Sequence, residues 1–237
     1  MNKKLIRIIE EAKVKLRNNP RDIVHDLAHH ESVWENVKNI LKEEKIEVDI
    51  DVLNISAYWH DVVLSKSYKM SGTNVEETAG YLENLLINEG FEKTFINKTI
   101  STMLNHEFLS EPSTIECLVL QDADKLDVLS SDRWKRTFEA YKRGEIDKNK
   151  LASYVQTGLK WLPLLVPSFY FDTTKQIASM RIKSVVVDKT FINLVKELGQ
   201  YELYIDVKRI LDSNILTSEA KKITKRTQEY KDKLING

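Results

Sequence analysis

Four of the five histidines fall in two short clusters, His25-Asp26-Leu27-Ala28-His29-His30 and His60-Asp61, and an Asp122-Ala123-Asp124-Lys125 run follows about sixty residues later. Imidazoles and carboxylates placed on separate segments in this way can converge on one divalent metal. His25 and His29 are four residues apart, so on one helix they share a face about 6 Å apart, and either or both can point at a common centre. His30 points elsewhere. His60 and Asp61 diverge by about 100° on a helix, yet both can reach an ion lodged at the helix shoulder. A further ligand must come from a separate helix, and Asp122 or Asp124 supplies it. The apolar lead-in Leu118-Val119-Leu120 would carry that acid into the interior, where a carboxylate is costly unless it is paired or bound to metal. Two imidazoles with two carboxylates suit one octahedral Mn²⁺, Fe²⁺, Co²⁺, Ni²⁺ or Mg²⁺ better than a closed structural zinc site. Four protein ligands leave two positions for water, and the ion both lowers the pKa of such a water and neutralises a phosphate.

The elements that must position these groups read as helices. Seven glycines and four prolines in 237 residues leave few turn signals, while Leu, Ile, Lys, Glu and Asn recur at helical spacing throughout. Leu5, Ile8, Ile9, Ala12 and Leu16 form the apolar stripe of a first helix, interrupted by Asn18-Asn19-Pro20-Arg21-Asp22. Val33, Val37, Ile40 and Leu41 continue a second helix from the His25 cluster, and Val52, Ile55 and Trp59 mark a third that ends at His60-Asp61. Further helical patterns cover roughly 73–89, 92–107, 115–142, 147–160 and 173–198, and resume from Tyr201 and from Ser218. Trp161-Leu-Pro-Leu-Leu-Val-Pro167 breaks the pattern with two prolines and is expected to be a boundary loop or a lid. The C-terminal stripe Ala220, Ile223, Thr227, Tyr230 and Leu234 is too short to specify a coiled coil. It is expected to pack back on its own domain, and it also suits a short homodimer contact.

The chain is expected to form a single compact all-α domain, with no second domain forced by its length. Lysine plus arginine (36) equals aspartate plus glutamate (36), so no net field draws in a nucleic-acid polymer or an anionic membrane. The one cysteine, Cys117, excludes an internal disulfide and reads as a small buried hydrophobe. The early charges at Lys3 and Lys4 and the lack of an apolar stretch of about twenty residues argue against a signal peptide and a membrane span. A cytoplasmic location is the expectation.

In order and in helical context, these three motifs resemble the HD-domain metal-dependent phosphohydrolases. His25-Asp-Leu-Ala-His29-His-Glu-Ser-Val33-Trp is similar to the family's opening helix, Tyr58-Trp-His60-Asp61 to its central motif, and Asp122-Ala-Asp124-Lys125-Leu-Asp127 to its closing one. The resemblance implies a helical-bundle core over about 20–135 with a helical extension over about 145–237. It also implies His29, His60, Asp61 and Asp124 as the metal ligands. The small bacterial and archaeal members that hydrolyse nucleotides are the most similar. Their late Ala-x-x-x-Ala-x-x-Arg-like helix has a weaker counterpart in Thr174-Lys-Gln-Ile-Ala-Ser-Met-Arg181. The chain departs from many members in carrying Ser32, not arginine, three residues after the first ligand.

The expected activity is hydrolysis of a phosphoester or phosphoanhydride in a nucleotide or related small phosphorylated compound, with Asp61, Lys66 and Lys125 in catalytic roles. His25, Lys66, Lys69 and His106 are the candidates to contact substrate, the lysines as point charges toward phosphate. His106 is also the candidate to hold a second ion, although one ion is the expectation. The alternative is a metal-bearing regulatory domain that senses a nucleotide without turning it over.

Overall fold

A computed structural model of the protein describes residues 3–22, 24–64, 73–213 and 215–236, apart from the side chains of Thr73, Asn74 and Asn236. The fold is all-α, with no strand among the described residues. The helices are α1 Lys3–Asn18, α2 Leu27–Glu44, α3 Ile50–Trp59, α4 Thr73–Asn88, α5 Lys93–Leu104, α6 Ile115–Val128, α7 Ser131–Lys142, α8 Lys148–Ser168, α9 Asp172–Val185, α10 Lys189–Glu197, α11 Tyr201–Asp212 and α12 Ser218–Lys231. A short π-helical turn, Asp232–Asn236, follows α12.

Contacts divide the chain into two compact units, one ending at Asp127 and one running from Val128 to Asn236. In the first unit the α1 stripe Leu5, Ile8, Ile9, Ala12 and Leu16 is buried as its spacing predicts. It joins Ile55, Tyr58 and Trp59 of α3, Leu82 and Leu86 of α4, and Ile96 and Met103 of α5 in one apolar cluster. Helix α3 lies at the centre, packed on α1, α2 and α5, and every residue from Val52 to Trp59 is buried. Burial on all sides explains why α3 shows little amphipathic pattern: a helix with no solvent face has no polar stripe.

In the second unit, α8 packs on α9, α11 and α12. Two patterns read as continuous from sequence are each two helices. The 115–142 pattern breaks where Ser130 leaves the helical region (φ −71°, ψ 128°) while Leu129 stays buried. The 173–198 pattern breaks ahead of Asp188, whose carboxylate accepts the Phe191 N–H and so caps α10. Trp161–Pro167 is neither a loop nor a lid. It lies inside α8, with Pro163 and Pro167 in helical conformation. Two internal prolines cost about 6 kcal/mol; Leu159, Leu162 and Leu165 of α8 are each buried, and three buried leucines contribute about 4.5–9 kcal/mol. Packing of the leucines is thus large enough to offset the loss of backbone bonds. Among the described residues, no helix is long and apolar enough to cross a membrane.

Candidate metal centre

Local chemistry fixes where each histidine stands. The Asp26 carboxylate caps α2 by accepting the His29 N–H at 3.0 Å, which sets His29 in the first turn with its side chain directed inward, fully buried. Asp26 is thus a cap rather than a ligand. Helix α3 is pinned to α1 through the Trp59 indole, which donates to the Ile8 carbonyl at 3.1 Å. The helix ends there: His60 is its C-cap, and Asp61 follows in a turn, so the pair sits at a helix end as the shoulder geometry requires. Helix α6 is buried along most of its length and carries Asp122, Asp124 and Asp127.

These segments meet. His29 Nε2 lies 3.1 Å from His60 Nε2, 3.5 Å from Asp124 Oδ1 and 3.9 Å from Asp61 Oδ2, while His60 Nε2 is 3.7 Å from Asp61 Oδ2. For an octahedral ion with ligands at about 2.1 Å, adjacent donors stand about 3.0 Å apart and opposite donors about 4.2 Å. Every one of these separations falls within that range. Proton positions agree. His60 Nδ1 donates to the Ala57 carbonyl at 3.0 Å, and His29 Nδ1 faces the buried Asp127 carboxylate at 2.7 Å. In its neutral form each imidazole therefore offers its Nε2 lone pair. Burial holds His60 down to about 3, so it does not acquire a second proton. Two neutral imidazoles that converge through Nε2 at 3.1 Å beside two carboxylates make a mixed nitrogen and oxygen donor set, and His29, His60, Asp61 and Asp124 are chemically fit to hold a divalent metal.

Asp61 keeps its charge. Burial raises its carboxyl, but His25, His60, His106 and Arg21 around it outweigh burial and hold it well below the usual carboxylate range. Arg21 bonds to Asp61 Oδ1, leaving Oδ2 toward the imidazoles. His25 Nε2 is 3.8 Å from Asp61 Oδ2, and His106, whose Nδ1 bonds to the Met103 carbonyl at 2.6 Å, places Nε2 3.9 Å from Asp61 Oδ1. His60, Asp61 and His106 thereby form a second triple of potential ligands.

Other expected site residues are placed differently. Asp122 is fully buried and pairs with Lys125 Nζ at 2.9 Å. Asp124, about 200° around α6 from Asp122, is the acid brought to His29. Burial lowers Lys125, partly offset by Asp122 and by the charge of Asp124. Lys66 and Lys69 lie outside the described residues. His30 is buried, bonds through Nδ1 to the Ala57 carbonyl at 2.9 Å and is held down to about 3 by burial. Its Nε2 has no hydrogen-bond partner among the described residues, and it groups with His29 and His60 as a potential ligand.

Sequence reasoning assigned no role to Asp127, Arg21 or Asp22. Asp127 carries a signal: it is three residues after Asp124, so the two acids share a face of α6. Carboxylates that orient a ligating imidazole through its other nitrogen are the common outer partner of such centres. Arg21 carries none, because only the fold brings it to a residue forty positions away.

The HD-domain family model matches residues 23–129, the stretch that carries the candidate ligands, and this stretch is an HD domain. No curated protein matches the chain. Three solved structures share its fold. The Lin1889 protein of Listeria innocua is 25% identical, with a TM-score of 0.56, over 84% of this chain and 98% of its own. A predicted HD superfamily hydrolase from an uncultured Thermotogales bacterium is 24% identical, with a TM-score of 0.52, over 84% and 92%. Bacillus subtilis YpgQ in complex with ADP is 20% identical, with a TM-score of 0.51, over 90% and 97%.

Proposed function

We propose that this protein is a metal-dependent phosphohydrolase that cleaves a phosphoester or phosphoanhydride bond in a nucleotide or a related small phosphorylated compound. The observation that carries the reading is the 3.1 Å approach of the His29 and His60 Nε2 atoms, buried, with both Nδ1 atoms engaged elsewhere and with Asp61 and Asp124 beside them. When bound there, one divalent ion such as Mn²⁺, Co²⁺, Ni²⁺, Fe²⁺ or Mg²⁺ neutralises phosphate oxygens and acidifies a water. The residues do the rest. His29, His60, Asp61 and Asp124 hold the ion, and Asp127 and the Ala57 carbonyl fix the imidazoles. His25 and His106 flank Asp61 on the substrate side. Lys66, Lys69 and Lys125 supply positive charge for the phosphoryl group, Lys125 from within its pair with Asp122. The ADP bound by YpgQ supports a nucleotide as the substrate class.

A panel of nucleotides and simple phosphoesters, offered to protein reloaded separately with each metal, tests the reading. Metal-dependent release of phosphate or pyrophosphate is expected, with label from ¹⁸O-water on the phosphoryl product. Tight binding of one nucleotide without turnover under any metal would establish a sensor instead.

A further inference from the structure

The connection between α1 and α2 brings to the metal centre a cation to which the hydrolytic reading gives no task. Asn19 Nδ2 donates to the Val63 carbonyl at 3.3 Å, which ties the connection to the segment just past His60-Asp61. Three residues on, the Asp22 carboxylate accepts the Val24 and His25 N–H groups at 2.9 and 3.0 Å and closes a local turn. Arg21 lies between these two anchors, and its guanidinium bonds to Asp61 Oδ1.

The two oxygens of Asp61 therefore have different surroundings. Oδ2 faces the imidazoles, 3.7 Å from His60 Nε2, 3.8 Å from His25 Nε2 and 3.9 Å from His29 Nε2. Oδ1 faces Arg21 and, at 3.9 Å, His106 Nε2. The Asp61 side chain is 5% exposed and that of Arg21 29%, so the bond forms largely out of water. A charge-assisted pair is strong there, and a guanidinium does not give up its proton. A carboxylate can hold a divalent ion through one oxygen or through both. A two-oxygen grip would require Oδ1 to turn from a fixed cation to a second one.

Coordination number gives that choice a consequence. Of about six positions on an octahedral ion, four single-atom protein ligands leave about two, whereas a two-oxygen grip by Asp61 would leave about one. An attacking water and a phosphoryl oxygen need a position each.

We propose that Arg21 is a positioning residue: by holding Asp61 Oδ1 it confines Asp61 to ligation through Oδ2 and so keeps a second exchangeable position open on the ion. The proposal rests on the metal-dependent reading above. Arg21 acts through Asp61 and need not touch substrate.

The test uses the full chain loaded with one equivalent of Mn²⁺, whose effect on solvent-proton relaxation scales with the number of exchangeable waters it carries. Arg21→Met removes the charge and keeps most of the stem. It is expected to hold Mn²⁺ at the wild-type stoichiometry but to halve the bound-water contribution to relaxivity, from about two waters to about one; hyperfine spectroscopy in ¹⁷O-water counts the same waters independently. Arg21→Lys, which restores a cation opposite Oδ1, is expected to return the second water. Equal water counts in wild type and Arg21→Met overturn the proposal and leave the metal reading standing. Loss of Mn²⁺ from Arg21→Met also overturns it, because Arg21 would then serve to retain the ion and not to shape its coordination. A wild type that takes up no Mn²⁺ brings down the metal reading itself, and the proposal with it.

Discussion

Among the described residues, the unit ending at Asp127 buries His29, His30, His60, Asp61, His106, Glu116, Asp122, Lys125 and Asp127, whereas the buried polar side chains of the second unit are hydroxyls, those of Thr137, Ser168, Thr174, Thr227, Tyr170 and Tyr204. A hydroxyl is satisfied by one nearby carbonyl. Thr174 donates to Phe171, Ser168 to Leu165 and Tyr204 to Val186. An ionisable group taken out of water is far more costly unless it is paired or ligates a metal. The first unit gathers most of these groups around His29 and His60, with Asp122 paired to Lys125 and Glu116 to Lys98. The second builds an ordinary apolar core around α8, and the contrast assigns chemistry to one unit and packing to the other.

The largest expected effect is loss of the ion. His60→Ala and Asp61→Ala should each abolish bound Mn²⁺ and metal-dependent turnover, read by metal analysis of protein purified without chelator; equal metal content in both variants and wild type would break the comparison. Next come the two acids of α6. Asp122→Asn leaves Lys125 buried beside a neutral partner and should cost about 3–5 kcal/mol of stability while retaining the ion. Asp124→Asn should lose the ion and, compared with wild type in metal-free buffer, cost little stability; a reversed pattern in denaturation and metal binding would transfer the ligand role to Asp122. Leu159→Ala, in the core of the second unit, should cost about 2–5 kcal/mol and leave metal per folded molecule unchanged.

Smaller effects sharpen the picture. Since bound metal stabilises only the folded state, a chelator added to protein at a free-ion level of about a hundred times Kd should remove about 2.7 kcal/mol, seen as a lower Tm. The ion-free protein should also be acid-sensitive. Burial holds His30 and His60 down to about 3, against 6.5 in the unfolded chain. Between those limits the unfolded state binds protons that the folded state does not, so stability is fully present above about 6.5 and falls as the pH drops toward 3. The slope is about 1.4 kcal/mol per histidine per pH unit. Equilibrium denaturation across that window measures it, and a flat profile would show that these imidazoles are not buried neutral.

By itself the sequence determined the fold class, most helices and the donor types of the centre, because helical periodicity and capping are encoded within a few residues of one another. The α1 stripe, the end of α3 at His60-Asp61 and the buried lead-in to the α6 acids all follow from spacing. Tertiary structure decided what spacing leaves open. Of the acids on α6, Asp124 reaches His29, while Asp122 turns away to Lys125. Trp161–Pro167 stays helical because burial of the α8 leucines offsets its prolines. The centre is closed by pairs 31, 98 and 40 positions apart, His29 with His60, His29 with Asp127 and Arg21 with Asp61. Which side chains meet across such separations is set by how α1, α2, α3 and α6 are held around a common core, and that packing is a property of the whole unit that no local pattern carries.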